Sequence, residues 1–305
     1  MTCSSPEVLT RYAVEPDVSP HTFDASSERI DPYVWTVRKR GTIVHADTII
    51  GTRSQKSERS RLGPYFVGGA IIMPIDVANM DLWLPRILGG TESADTFPVA
   101  ETLPAFGLLA DLGGQTHEYK DCYVSRAEIT GRAWTGTGAP QPLQIRIDVL
   151  GKSEATDTSF PAASLSTAAN TAPLLFEEGT FTMQAEARQV MAFRIVIDNM
   201  LRVRWTNSLT PTCIYSAGRL VTVSAVTPYT ADECDELYGQ SYAGAAATFN
   251  FVNGDTSFGF TFGRMQVPSI SPIVQGRGEV TLQLDGIARS VTTTKEIAGN
   301  NDSVV

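Results

Sequence analysis

Four carboxylates lie within five consecutive residues of the sequence TADECDELYG, which begins at Thr230. They are Asp232, Glu233, Asp235 and Glu236. Carboxylates can bind Ca²⁺, but a calcium-binding loop adds carbonyl or amide oxygens around a turn-forming glycine, and this stretch lacks that pattern. Thr230 and Glu233 instead have the spacing of a capping box, which predicts a helix. We therefore interpret the cluster as the acidic face of a helix, which is either simply solvated or part of a functional acidic surface.

A basic segment, RSQKSERSR, carries Arg53, Lys56, Arg59 and Arg61 and is broken by Glu58. Such a segment could contact phosphate, but aromatic residues do not interleave it as they do in proteins that bind single strands. The chain also has a formal net charge of −9, whereas nucleic-acid affinity depends largely on Lys and Arg. We therefore expect no tight binding of nucleic acid, and we predict that the segment forms salt bridges with an acidic partner, such as another copy of the chain.

Motifs for enzymatic chemistry are incomplete. Gly151, Lys152 and Ser153 resemble the end of a P-loop, but Arg146 occupies the position of the loop's first glycine. The sequence GQSYAG, from Gly239, is one residue too long for a nucleophile elbow. The three histidines have no second ligand at metal-binding spacing, and the four cysteines form no C-x-x-C pair, which favours free thiols. We predict no enzymatic activity, no cofactor and no metal.

The composition favours a mainly β fold. The chain has 25 glycines, 17 prolines and only 19% charged residues, which favour short strands and turns over long solvated helices. Strands are therefore expected to position these side chains. The clearest strand is GEVTLQLDGIARSV, at residues 278–291. Side chains alternate along a strand. One face here is apolar and the other polar: Val280, Leu282 and Leu284 against Thr281, Gln283 and Asp285. The apolar face requires a core, whereas the polar face carries no nucleophile and no base.

Two helices are predicted within this mainly β sequence. The first follows Pro74 and ends at Gly89, and its apolar residues recur at helical spacing: Val77, Met80, Leu84, Ile87 and Leu88. Pro85 should kink or interrupt it. The second, shorter helix begins at Thr230. Each helix is preceded and followed by strands, which indicates an internal duplication.

The Ser-, Thr- and Ala-rich residues 153–173 have little to bury and predict a linker, although an ordered loop of one large domain is the alternative. The resulting division has an N-terminal extension at 1–29, a first tube-like domain at 30–152, a second tube-like domain at 174–297 and a flexible tail at 298–305.

The N-terminus has no signal-peptide core, and no apolar run approaches the roughly 20 residues that span a bilayer. We therefore expect no membrane association.

Several stretches resemble the major tail tube proteins of long-tailed, siphovirus-like bacteriophages. In the second half they are QVMAFRIVIDNML, the strand entry GRLVT at Gly218, the helix end ELY at Glu236, and VPSISPIVQGRGEVTLQLDGIARS. In the first half, the helix end RILG at Arg86 and the strand SRAEITGRA are similar to the same family. Together these stretches cover most of residues 30–297.

The resemblance implies a β-sandwich or half-barrel with a flanking helix, whose copies join their sheets around a ring. Stacked rings would form the tail tube, the conduit for genome ejection, and would also contact other tail proteins such as the tape measure and the tail terminator. The protein would be a structural virion component, assembled in the host cytoplasm, and DNA would pass through the lumen without tight binding. Residues 232–236 are then expected on the lumen or an interface, and residues 53–61 at a subunit or ring contact.

The length of the chain bears on the stoichiometry of such a ring. The simplest relatives have one tube domain and form hexamers, so two domains in one chain predict a trimer with pseudo-six-fold symmetry. A hexamer of one larger domain is the alternative.

The alternative to a tail tube protein is a non-enzymatic β-sandwich binding module. Such a module would be a carbohydrate-binding appendage or a capsid decoration protein. Its binding surface should cluster aromatic residues, whereas the four tryptophans are scattered along the sequence.

Overall fold

The fold was described from a computed structural model. The described residues are 10–15, 27–45, 59–112, 115–136, 139–156, 160, 171–229, 243–268, 272–273, 280–291 and 296–302. Within them, 21 strands and a single α-helix are found. The prediction of a mainly β fold with a flanking helix is therefore confirmed. No helix in this part of the chain is both long enough and apolar enough to cross a membrane.

The first half of the chain contains ten strands and the helix. In chain order they are β1 (Thr10–Glu15), β2 (Glu28–Ile30), β3 (Val34–Trp35), β4 (Arg38–His45), β5 (Ser60–Pro74), α1 (Val77–Leu88), β6 (Thr96–Phe97), β7 (Phe106–Leu112), β8 (Thr116–Arg132), β9 (Gln144–Gly151) and β10 (Ser153–Thr156).

The second half contributes the other eleven strands. They are β11 (Gly179–Met183), β12 (Glu186–Arg188), β13 (Ala192–Asp198), β14 (Leu201–Arg204), β15 (Cys213–Ser216), β16 (Leu220–Pro228), β17 (Ala245–Asn253), β18 (Thr256–Gln266), β19 (Pro272–Ile273), β20 (Thr281–Arg289) and β21 (Ile297–Asp302). The predicted helix from Thr230 lies outside the described residues.

The main sheet is antiparallel and runs in the order β4-β5-β9-β8-β13-β16-β20-β18-β17-β11-β12. The long strand β8 takes part in two layers, because its first half pairs with β7 and β10 and its second half with β9 and β13. β1 extends the layer of β7 and also pairs with β2. The pairing of β8 with β13 therefore joins the strands of the two halves in one sheet.

The strand pairings of the first half recur in the second half in the same chain order. β5 pairs with β4 and β9, as β16 pairs with β13 and β20. β8 pairs with β7, β9 and β10, as β18 pairs with β17, β20 and β21. β1 pairs with β7 and β2, as β11 pairs with β17 and β12.

The register recurs as well. Pro74 at the end of β5 lies opposite the first residue of β9, and Pro228 at the end of β16 lies opposite the first residue of β20. The hairpins β7–β8 and β17–β18 also share a register shift, at Phe106/Leu108 and at Ala245/Ala247. We name the two sets of corresponding strands the first and second repeats. The division into two tube-like domains stays a prediction, since the repeats share one sheet and their buried apolar residues form one cluster.

Three predicted boundaries differ from the strands. β1 lies within the predicted extension at 1–29 and pairs with β7, and β10 occupies the first four residues of the predicted linker at 153–173. β21 occupies most of the predicted tail at 298–305. The sequence of β21, IAGNND, lacks an apolar alternation, but the buried Asn301 donates from Nδ2 to the carbonyl of Val77 at 2.8 Å and so attaches the strand to α1.

The helix α1 begins after Asp76, whose Oδ1 accepts from the backbone N–H of Asn79 at 2.8 Å and from the Thr171 hydroxyl at 2.9 Å. It ends at Gly89, in the left-handed conformation with φ of 89°. Of the two effects predicted for Pro85, an interruption does not occur, because the helix continues through Pro85 to Leu88. Several neighbouring side chains, including that of Trp83, are fully buried, and their packing offsets the roughly 3 kcal/mol that an interior proline costs.

The second repeat covers the end of this helix. Asn199 donates from Nδ2 to the carbonyls of Ile87 and Val124, both at 3.1 Å. Arg219 donates to the carbonyl of Leu88 at 3.2 Å and to Oδ1 of Asn199 at 3.1 Å. The last carbonyls of a helix have no partner within it. The sequences IDN and GRL, which contain Asn199 and Arg219, therefore hold the helix against both repeats.

Candidate functional surface

The main sheet has one buried apolar face and one polar face. On β20, Leu282 and Leu284 are fully buried, whereas Gln283 and Asp285 are exposed, as the sequence predicted. The same alternation runs through β9, β8, β13 and β16. We define the polar face by the side chains that carry its interactions: Arg126, Glu128, Arg146, Asp148, Arg194, Ser224, Gln283 and Asp285.

In the first repeat the polar face consists of compensated charges. Across β8 and β9, Arg126 lies opposite Asp148, and Glu128 lies opposite Arg146. Within the strands, Arg126 forms an ion pair with Glu128 at 2.9 Å, and Arg146 forms one with Asp148 at 2.9 Å. Opposite charges on facing strands stabilise a sheet modestly. Both arginines are therefore engaged by carboxylates of the same surface.

The polar face continues across the junction between the repeats. Glu128 of β8 accepts a hydrogen bond from Nε of Arg194 on β13 at 2.6 Å. This bond lowers the pKa of Glu128 below its ordinary value and raises the pKa of Arg194. Glu128 therefore stays ionised and compensates arginines of both repeats.

In the second repeat the polar face has a carboxylate without a cationic partner among the described residues. Asp285 accepts hydrogen bonds from the hydroxyl of Ser224 and from Nε2 of Gln283, the latter at 2.9 Å. Both donors are neutral, so the charge of Asp285 is not compensated by them. The polar face thus carries balanced charges on β8 and β9 and an acidic position on β20.

The groups that suggested chemistry in the sequence are engaged in structural contacts. Lys152 of the P-loop-like tripeptide forms an ion pair with Asp121 at 3.3 Å, and Ser153 begins the paired strand β10. His117 contacts Glu154 at 2.9 Å. Burial raises the pKa of the Cys122 thiol, which makes it a poor nucleophile. The described residues contain no group of three or more His, Cys, Asp or Glu side chains that could hold a metal ion.

Most of the predicted contact residues lie outside the described residues. These are Arg53 and Lys56 of the basic segment and all four acidic residues, Asp232, Glu233, Asp235 and Glu236. Arg59 and Arg61 are described, and both are exposed; Arg61 lies in β5 opposite Val44. The predicted roles of both groups stay predictions.

Sequence reasoning missed the ion pairs of the polar face. A signal was present, because Arg126 and Glu128 on β8, and Arg146 and Asp148 on β9, are separated by two residues and so share a face. The contact with Arg194 could not be read in this way, since it joins strands 66 positions apart.

Comparison with known proteins places most of the chain in one family. A family model described as "Phage tail tube protein" matches residues 13–288, and the match therefore extends over both repeats up to β20. No curated protein sequence matches the chain at a significant level.

Proposed function

The chain belongs to the phage tail tube protein family, and from this premise we propose that it polymerises into stacked rings that conduct the genome during ejection. Membership makes it a structural component of the virion tail. The ring, the conduit and the assembly in the host cytoplasm are parts of the proposal. Its further partners are the tape measure and tail terminator proteins, which a tube must meet along its lumen and at its end.

The observation that carries this proposal is the junction between the repeats. β8 and β13 pair over seven residues, from Arg126 opposite Asp198 to Arg132 opposite Ala192. The chain thus already joins two units of corresponding topology side by side in one sheet. A ring wall requires this junction to be repeated until the sheet closes on itself.

The proposed stoichiometry follows from the two repeats. Six repeats close a ring when three chains assemble, with intrachain and interchain junctions in alternation. Such a trimer has true three-fold and pseudo-six-fold symmetry. The alternative remains a hexamer of chains, in which each chain acts as one large domain.

We propose that the polar face lines the lumen, because the opposite face of the sheet is occupied by the core and α1. Arginines that are engaged by carboxylates bind phosphate weakly, and Asp285, which has no cationic partner among the described residues, repels it. DNA would therefore slide without being held, as a conduit requires. We place residues 53–61 at a subunit or ring contact and residues 232–236 on the lumen or an interface.

Negative-stain imaging of the purified full-length chain tests the assembly. Tubes or stacked rings are expected, and cryo-EM class averages with three-fold but not six-fold symmetry are expected for the rings. Monodisperse monomers would contradict the proposal, and monomers that bind a glycan would favour a binding module. Six chains in each ring would retain the tube and overturn the trimer.

A further inference from the structure

A depression of about 330 Å³ lies on the polar face beside the strand β4. Its floor consists of small residues of β5, namely Gly68, Gly69 and Ala70, which leave space between longer side chains. The charged groups in its described lining are Arg40 of β4 and the ion pair of Arg146 with Asp148 on β9. Two guanidinium groups therefore share the depression with one carboxylate, which leaves one positive charge in excess.

Arg40 is held across the floor by the backbone of β5. Its Nε donates to the carbonyl of Gly68 at 3.2 Å. A side chain at position 68 would crowd this arrangement, because its Cβ would lie 3.2 Å from the ring of Phe66 and 3.6 Å from Nε of Arg40. The two terminal nitrogens of Arg40 have no hydrogen-bond partner among the described residues. They are therefore available to a ligand.

Arg146 supplies the second guanidinium group. Its Nε and one terminal nitrogen donate to Oδ1 of Asp148, at 3.1 and 2.9 Å. The other terminal nitrogen is a donor that the ion pair does not use. Guanidinium groups bind oxyanions such as phosphate through several N–H donors at once. The depression thus presents donors from two strands to a group that has several acceptor oxygens.

The second repeat lacks this excess of positive charge. Counted from the prolines that end β5 and β16, Arg40 corresponds to Asp198, and Arg146 corresponds to Gln283. The carboxylate is retained, at Asp285. Where the first repeat has two cations and one carboxylate, the second has two carboxylates and a neutral amide. An anion would therefore be attracted in the first repeat and repelled in the second.

We propose that the depression is a phosphate contact, at which Arg40, with Arg146 beside it, donates to one phosphate of the DNA backbone. This inference rests on the proposed conduit, in which the polar face lines the lumen. Affinity for duplex DNA accumulates with the number of phosphates that are neutralised. One contact in each chain, on a face whose other arginines are engaged by carboxylates, resists sliding modestly and does not arrest it.

Salt-dependent binding of a short fluorescent DNA duplex to the full-length chain tests the contact. Arg40→Gln removes the charge from the depression. The matched control, Lys39→Gln, removes the same charge from the other face of β4, where the ammonium group lies 4.0 Å from the centroid of the Tyr65 ring. Both residues are exposed, so neither substitution should unfold the chain.

The expected result is a difference in the salt slope of affinity. For the wild type and Lys39→Gln, the log–log slope should be steeper than for Arg40→Gln by roughly 0.9, the value for one phosphate contact. A fourfold rise in salt should therefore weaken the binding of wild type and control by about 3.5-fold more than that of Arg40→Gln.

Two further probes identify the ligand. Inorganic phosphate, at constant ionic strength, should compete with the duplex for the wild type more strongly than chloride does, and this difference should disappear in Arg40→Gln. Calorimetric titration that shows Arg40-dependent binding of inorganic phosphate, without any binding of the duplex, would assign the depression to free phosphate and overturn the DNA contact. Arg40-dependent binding of polyglutamate but not of the duplex would overturn it in favour of an acidic protein partner.

The outcomes separate this inference from the proposed function. Equal slopes for wild type and Arg40→Gln, an equal loss in Lys39→Gln, or no binding of the duplex by the wild type would overturn the contact, and the tube would stand if rings form. Arg40-dependent binding by a chain that never assembles would support the phosphate contact and contradict the conduit.

Discussion

Glu128 is the position at which the polar face can be perturbed most sharply. The substitution Glu128→Gln preserves size and removes the carboxylate that binds both Arg126 and Arg194. The net charge of the face then rises by one unit per chain, and by three units per ring in the proposed trimer. For duplex DNA, each phosphate contact that a freed arginine gains changes the log–log salt slope of affinity by roughly 0.9. Repetition along the stacked rings multiplies this effect.

Folding should be affected much less than conduction. The side chain of Arg194 is 51% exposed, and ion pairs of this kind contribute about 0.2–1 kcal/mol. Because the folded state lowers the pKa of Glu128, this contribution is present above the ordinary pKa of a glutamate and is lost as the pH falls through the lowered value. Urea melts of the wild type and Glu128→Gln should therefore differ slightly at neutral pH and converge in acid.

Conduction is measured with phage particles that carry the variant, with triggered DNA release followed by the fluorescence of a DNA-binding dye. Glu128→Gln should slow release at low ionic strength, and added salt should restore the rate. The double variant Glu128→Gln, Arg194→Gln removes one charge of each sign and should release DNA at the wild-type rate. Intact tubes with equal release rates for Glu128→Gln and wild type at low salt would refute the assignment of this face to the lumen.

Two further predictions test the fold. Leu282→Asp should prevent folding, because it places a charge at a fully buried position, whereas Gln283→Ala should change stability by less than about 0.5 kcal/mol; equal thermal melts of the two variants would contradict the assignment of faces. Asp76→Ala should cost about 0.5–2 kcal/mol by removing the cap of α1, and Asp76→Asn should retain most of that stability in a urea titration.

The sequence predicted the features that depend on local periodicity. Apolar alternation located the buried face of β20, and helical spacing located α1 up to its glycine terminus. The continuity of the helix through Pro85 could not be predicted, because the cost of a proline is local whereas the packing that offsets it comes from strands distant in sequence. The strand β21 was missed for a similar reason: its buried Asn301 donates to the carbonyl of Val77 in α1, a contact that is not visible in a hydrophobic pattern.

The polar face was predictable in character but not in detail. An exposed face on β20 follows from its sequence, but the ion pair between Glu128 and Arg194 depends on which strand lies beside β8. The order of strands in an antiparallel sheet is set by tertiary pairing, and neighbours can be far apart along the chain. The duplication was suggested by the order of the elements, whereas the correspondence of Pro74 with Pro228 required the observed registers.

The two kinds of junction in the proposed ring have different energetics. The β8–β13 junction forms within a folded chain, so its closure requires no association between molecules, and the bond between Glu128 and Arg194 reinforces it. A junction between chains must in addition offset the loss of translational freedom. The interchain junctions therefore depend on protein concentration, whereas the intrachain junction does not.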